Sequence, residues 1–345
     1  MDIVTIAEYS RIWLCPYGLF TSASPIMTKM QFSFLLALFG STQLLVAQVP
    51  VDPSRTTSAV ESTLAPKPIL DSEKRDSYHT LHDENAFVPP SPGDNDIGEQ
   101  LILKRNDRSY PWRLSVDSGA FWTDNVANAK AGKIDDWFWV GGATVNYQPR
   151  ISGRYFLDAS VGQHWYLYDK SSVLDFESGE ATAGLVVILP ELANSIFHAH
   201  YYYQRITQGL DASPIYTTQD IRTGLEKTFL IDRRNSVNVG LEASFGLETA
   251  PIQLRRHEYA VLCGYNFKLK RDIILSATYR GAYYDYFEAS RRDWYHMFGA
   301  SVAYRPREWF ELYLSYNFTI NRSNQDQFDY ESQLAGPSVG LKVKF

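Results

Sequence analysis

From Trp112 onward the chain follows a two-residue rhythm. Phe310, Leu312, Leu314, Tyr316, Phe318 and Ile320 alternate with Glu311, Tyr313, Ser315, Asn317, Thr319 and Asn321. Such alternation puts one set of side chains on each face of a β-strand. It recurs where Val237, Val239, Leu241, Ala243 and Phe245 interleave with Asn238, Gly240, Glu242, Ser244 and Gly246. It recurs again where Tyr259, Val261, Cys263, Tyr265, Phe267 and Leu269 interleave with Glu258, Ala260, Leu262, Gly264, Asn266 and Lys268. These runs exceed the roughly five or six residues usual in soluble sheets. They match the roughly 9–11 residues that cross a bilayer at a tilt.

The same reading predicts strands over approximately 111–123, 136–148, 153–168, 175–189, 196–208, 216–231, 235–248, 255–269, 272–286, 293–305, 308–320 and 334–345. That is about twelve, an even number as expected of an antiparallel up-and-down barrel in the bacterial outer membrane. Tight turns are expected at 149–152, 190–192, 232–234, 270–272 and 306–307. Longer loops lie mostly between them, the clearest at 321–331. Short turns on one side and long loops on the other place both ends of the barrel in the periplasm.

Ahead of the barrel the texture differs. Met27-Thr28-Lys29-Met30 followed by the apolar run 32–39 resembles a secretory signal, with cleavage expected after Ala47. Residues 1–26 do not fit a signal, so the reading takes Met27 or Met30 as the true start. Residues 48–110, rich in Pro, Ser, Thr, Asp and Glu, read as a disordered periplasmic segment before a barrel domain at 111–345.

Composition changes this picture in a few places. Mean hydropathy is −0.27, which argues against transmembrane helices and is compatible with strands that meet lipid only at every second residue. A net charge of −6 without a basic stripe gives no reason to expect nucleic acid as a partner. Of the two cysteines, Cys15 falls in the expected leader, which leaves Cys263 without a disulfide partner.

Tryptophans Trp112, Trp122, Trp137, Trp139, Trp165 and Trp294 fall near strand ends on the apolar phase and are expected to form an aromatic girdle at the lipid headgroups. Trp309 falls off that phase. The outward Val339, Leu341 and Val343, with a terminal Phe345, resemble the signal that the barrel-assembly machinery recognises.

Charges sort onto the opposite phase. Arg113, Asp117, Asp158, Glu180, Asp220, Arg222, Glu226, Glu242, Glu258, Arg280 and Glu311 are expected to line the lumen, because a cation facing lipid at the midplane costs about 2–4 kcal/mol. Two readings stay open: a hydrated lumen cross-linked by opposite charges, or a selective pore lined by them. His198 and His200 share the inner face of one strand and would bind a metal only with a third ligand from a neighbour, so no metal or cofactor is expected. His164, His257 and His296 lack the serine neighbour of a lipid-hydrolase motif, so no catalytic residue is assigned.

At Gly119-Ala120-Phe121-Trp122-Thr123-Asp124-Asn125-Val126 the first strand ends in a T-D-N turn. This resembles the Y-T-D-N element of a family of β-barrel porins associated with exopolysaccharide systems, with Trp122 in place of the tyrosine. The resemblance implies a barrel for solute or polymer traffic, with polysaccharide or small solutes as partners besides outer-membrane lipid. A structural or adhesion barrel with a closed lumen is the alternative, and a lipid-modifying enzyme a more remote one.

Overall fold

The computed structural model describes residues 53–64, 69–70, 110–208 and 214–345. The expected signal peptide and start site lie outside the described residues. Alternation of the kind seen in the sequence forces each strand to present two chemically different faces, and the sheet must close so that one face is enclosed. It does.

The first strands are β1 (Trp112–Thr123), β2 (Asp136–Tyr147), a three-residue β3 (Arg150–Ser152), β4 (Tyr155–Tyr168), β5 (Phe176–Leu189) and β6 (Ser195–Gln208). They are followed by β7 (Pro214–Leu230), β8 (Asn235–Ala250), β9 (His257–Lys268), β10 (Ile273–Tyr286), β11 (Arg291–Arg307), β12 (Phe310–Ser323) and β13 (Tyr330–Lys344). Apart from the β3 stub, each of the twelve pairs antiparallel with its neighbours. The pairing of β1 with β13 and of β2 with β4 closes a twelve-stranded barrel. At the seam, the Trp112 and Phe345 backbones exchange two hydrogen bonds of 3.1 Å, so the last residue is clasped to the first strand.

The outer wall is apolar. Val161, Leu241 and Leu314 are 65%, 54% and 56% exposed, and comparable leucines, valines and tyrosines ring the barrel. A continuous exposed belt of this kind is foreign to soluble monomers and is what acyl chains require. Trp137, Trp139, Trp165 and Trp294 are exposed and Trp122 half-buried on the outer wall at the end where the longer loops lie. Trp112 is at the opposite end. Trp309, off-phase by sequence, sits in the two-residue turn between β11 and β12, so strand phase does not constrain it, and it is 56% exposed.

Two expectations need correction. The loop expected at 321–331 is shorter, because β12 and β13 continue pairing up to Asn321 opposite Tyr330. The inner side chains of that pair are buried in the lumen, and this packing sustains the ladder through polar sequence. Residues 53–64, assigned by composition to a disordered segment, instead contain a helix, α1 (Pro53–Thr63). An isolated helix of 11 residues is marginal in water; here the barrel wall supplies the missing packing. All described residues belong to one unit, Pro50–Phe345.

Candidate functional site in the barrel lumen

α1 lies inside the lumen, bonded to inward side chains of the wall. At its N-terminal end Arg55 is held among buried groups from three strands. Its guanidinium donates to Asp293 Oδ2 at 2.5 Å, Asn321 Oδ1 at 2.8 Å and the Tyr286 hydroxyl at 3.1 Å, and it lies 4.5 Å from the centre of the Tyr284 ring. The Arg55 and Asp293 side chains are 4% and 0% exposed. Asp293 also accepts from Arg291 Nε at 3.0 Å, so one carboxylate serves two guanidinium groups. Arg256 donates to the Ser54 hydroxyl through both terminal nitrogens at 3.1 Å. Further along, Gln204 Nε2 donates to Thr57 Oγ1 at 3.2 Å, Asn317 Nδ2 to Ser62 Oγ at 3.0 Å and Ser315 Oγ to the Thr63 carbonyl at 3.0 Å.

One side of α1 is greasy. Val60 and Leu64, four residues apart and so on one helical face, pack among Phe121, Phe138, Val140, Tyr166 and Phe176. Below them Gln148 Nε2 donates to the Ile69 carbonyl at 2.7 Å, and Leu70 packs with Phe156, Val186, Ile188 and Ile196. Tyr286 ends β10 and Asp293 lies near the start of β11, both at the loop end. Gln148, Phe156 and Ile188 lie at the opposite end, beside the short turns. Among the described residues, α1 therefore begins at the loop end, and Ile69 and Leu70 lie toward the turns.

The charges expected to line the lumen fall into separate stations. Asp220, Arg222, Glu242, Glu258 and Arg280 come together around a polar cavity of about 140 Å³ beside α1. There Arg222 is 3.5 Å from Asp220, and Arg280 bridges Glu258 and Glu242. Across the barrel, Arg113 donates to Asn146 at 3.2 Å, Asn146 to Asp158 at 2.8 Å, and His200 Nε2 lies 2.9 Å from Asp158 Oδ2. Asp117 stands 3.6 Å from His164 in the same sector. Glu311 pairs with Arg305 at 2.8 Å near the turn end, and Glu226 is half-buried on β7 opposite Gly240. Glu180 accepts a 3.4 Å bond from Tyr202, whose ring carries the Arg222 guanidinium on its face. His296 does not point inward: on the outer wall its Nδ1 is 2.9 Å from the Tyr279 hydroxyl.

The T-D-N element has a local task. Asn125 Nδ2 donates to the Ala129 carbonyl at 2.8 Å and the Glu331 carbonyl at 2.9 Å, and its Oδ1 accepts from the Ala129 N–H at 2.9 Å. Asp124 Oδ1 accepts from the Gln333 N–H at 2.6 Å. These bonds tie the β1–β2 loop to the start of β13.

No protein-family model matches the sequence, and no curated protein sequence matches it. Among solved structures, the COG4313 outer-membrane channel of Pseudomonas putida F1 aligns over 68% of this chain and 96% of its own, at 11% identity and a TM-score of 0.50. The chain folds as an outer-membrane β-barrel. Outer-membrane phospholipase A of Escherichia coli aligns over 70% of this chain and 95% of its own (14% identity, TM-score 0.42). The NanC porin aligns over 67% and 100% (8% identity, TM-score 0.40).

Reasoning from sequence missed α1, with its Arg55, and the partners that hold it: Arg256, Tyr286, Asp293 and Asn321. The signal was present in outline. Asp52-Pro53 is a helix-start pair, Ala65-Pro66 a stop, and Val60 and Leu64 share a face between them.

Proposed function

We propose that this barrel is a gated channel and that its own segment, α1 with Ile69 and Leu70, is the gate. The observation that carries the reading is that the wall closes without α1. The strand ladder is continuous around the barrel, so α1 is an occupant of the lumen and not a piece of the sheet. Much of the contact between them consists of side-chain hydrogen bonds to Ser, Thr, Asn and Gln, groups that water can satisfy once the helix leaves. Withdrawal of α1 would open a passage lined on one side by the Asp220, Arg222, Glu242, Glu258 and Arg280 station. The resemblance of the T-D-N turn to exopolysaccharide-associated porins supports a saccharide or another polar solute as cargo, and Phe345, clasped at the seam, is the residue we expect the assembly machinery to read.

The second reading, a closed barrel with a structural role, is favoured by the aromatic packing around Val60 and Leu64. Planar-bilayer recordings separate the two. Full-length protein is expected to be mostly silent, and protein lacking residues 53–70 to show stable open steps. A folded, heat-modifiable barrel that lacks the segment and still conducts nothing would leave the structural reading in possession.

A further inference from the structure

We infer that the cavity beside α1 is a binding site for a small, uncharged, hydroxyl-rich solute, and that its occupant holds the gate shut. The second half rests on the gated-channel reading; the first does not. The cavity of about 140 Å³ lies between Ser54 and Ser58 of α1 and the wall formed by β6 to β10. At liquid water's share of about 30 Å³, it holds roughly five waters or one solute of glycerol size.

Its lining selects against net charge. The carboxylates of Asp220, Glu242 and Glu258 face the guanidinium groups of Arg222, Arg256 and Arg280, three against three. An ion of either sign thus meets repulsion as well as attraction. A neutral polyol loses nothing to that balance: each guanidinium–carboxylate pair presents donors beside acceptors at the spacing of neighbouring hydroxyls. Thr218, Ser244 and Thr249 add hydroxyl groups to the same lining. His198, 6% exposed, completes the polar lining.

Because Ser54 and Ser58 form part of the wall, the site is complete only while α1 is seated. A ligand that binds one of two states better shifts the population toward that state. Occupancy therefore favours the closed barrel by a factor of 1 + [L]/Kd, about elevenfold at ten times Kd.

The test uses full-length protein, glycerol as probe, and glycerate and 3-amino-1,2-propanediol as charged comparators. Calorimetry is expected to show saturable binding of glycerol, weaker for both comparators. Bilayer recordings are expected to show a saturable fall in the open fraction, with Glu242→Gln and Thr249→Val each shifting half-saturation to higher glycerol. Binding by calorimetry without an effect on opening would remove the brake and leave the site. Opening in the protein lacking 53–70 would still test the gate separately. Absence of saturable heat would mean the cavity holds only water and would overturn the site. So would charged comparators that bind as well as glycerol. Glycerol that raises the open fraction would overturn the brake.

Discussion

Arg55→Ala offers the most direct access to the gate. The substitution removes the hydrogen bonds to Asp293 Oδ2, Asn321 Oδ1 and Tyr286, at 2.5, 2.8 and 3.1 Å, and the stacking on Tyr284. Hydrogen bonds to charged groups contribute about 1.5–3 kcal/mol each in net terms. Two effects reduce the sum. The variant no longer has to desolvate a buried guanidinium, and Asp293 keeps Arg291, 3.0 Å away, as a partner. We place the loss of seating free energy at about 2–3 kcal/mol, equivalent to a roughly 30- to 150-fold shift toward the withdrawn state. The wall has lost nothing from its ladder, so the protein should still migrate as a folded, heat-modifiable barrel while its open fraction in planar bilayers rises by that factor. Asp293→Ala should act more strongly, since it strands two buried cations at a penalty of about 3–5 kcal/mol. Arg55→Ala that opens no more often than the parent, in a preparation where deletion of 53–70 does conduct, would show that the latch lies elsewhere.

Other parts of the molecule carry their own expectations. Val161→Arg places a cation on the lipid face midway along β4 and should lower stability by about 2–4 kcal/mol in urea titrations from lipid vesicles, whereas Ser160→Arg, on the inner face, should cost less. Gly336→Val should prevent closure, because a Cβ at Gly336 would stand 2.1 Å from the Ala120 carbonyl across the β1–β13 seam; the readout is loss of the heat-modifiable band, and normal assembly would contradict it. Asn125→Ala removes the clasp on the β1–β2 loop and should cost about 1–3 kcal/mol, seen as faster amide exchange across 124–135 with the strands unchanged.

The barrel was legible because bilayer and lumen impose opposite chemistries on alternate residues, a rule that acts at every position and needs no knowledge of neighbours. It set the strands to within a few residues: 136–148 expected against Asp136–Tyr147, 272–286 against Ile273–Tyr286. It failed where polar sequence is paired for another reason, as at Asn321 and Tyr330, whose inward side chains are buried near Arg55. The grouping of lumen charges into stations was beyond it. Asp220 and Arg280 lie on strands three apart in the sheet, and which residues share a level depends on stagger, which strand phase does not encode.

The missed helix has a more instructive cause. Helices are found in sequence by an apolar stripe, and the stripe is expected because the partner is a greasy core. A helix seated in a hydrated lumen meets mostly hydroxyls and amides, so its packing surface is written in Ser, Thr and Arg and is indistinguishable by composition from a solvated tail. The wall held the better clue. In β1, β2 and β4, near the loop end, both phases are apolar: Phe121 beside Trp122, Phe138 and Val140 beside Trp137 and Trp139, Tyr166 and Tyr168 beside Trp165 and Leu167. One phase of each pair faces lipid. The other would line water with large rings unless something apolar covered it, and Val60 and Leu64 do so. A barrel whose strands break alternation on one sector of the inner face is thus expected to hold an apolar occupant against that sector, and here the occupant is a segment of the same chain.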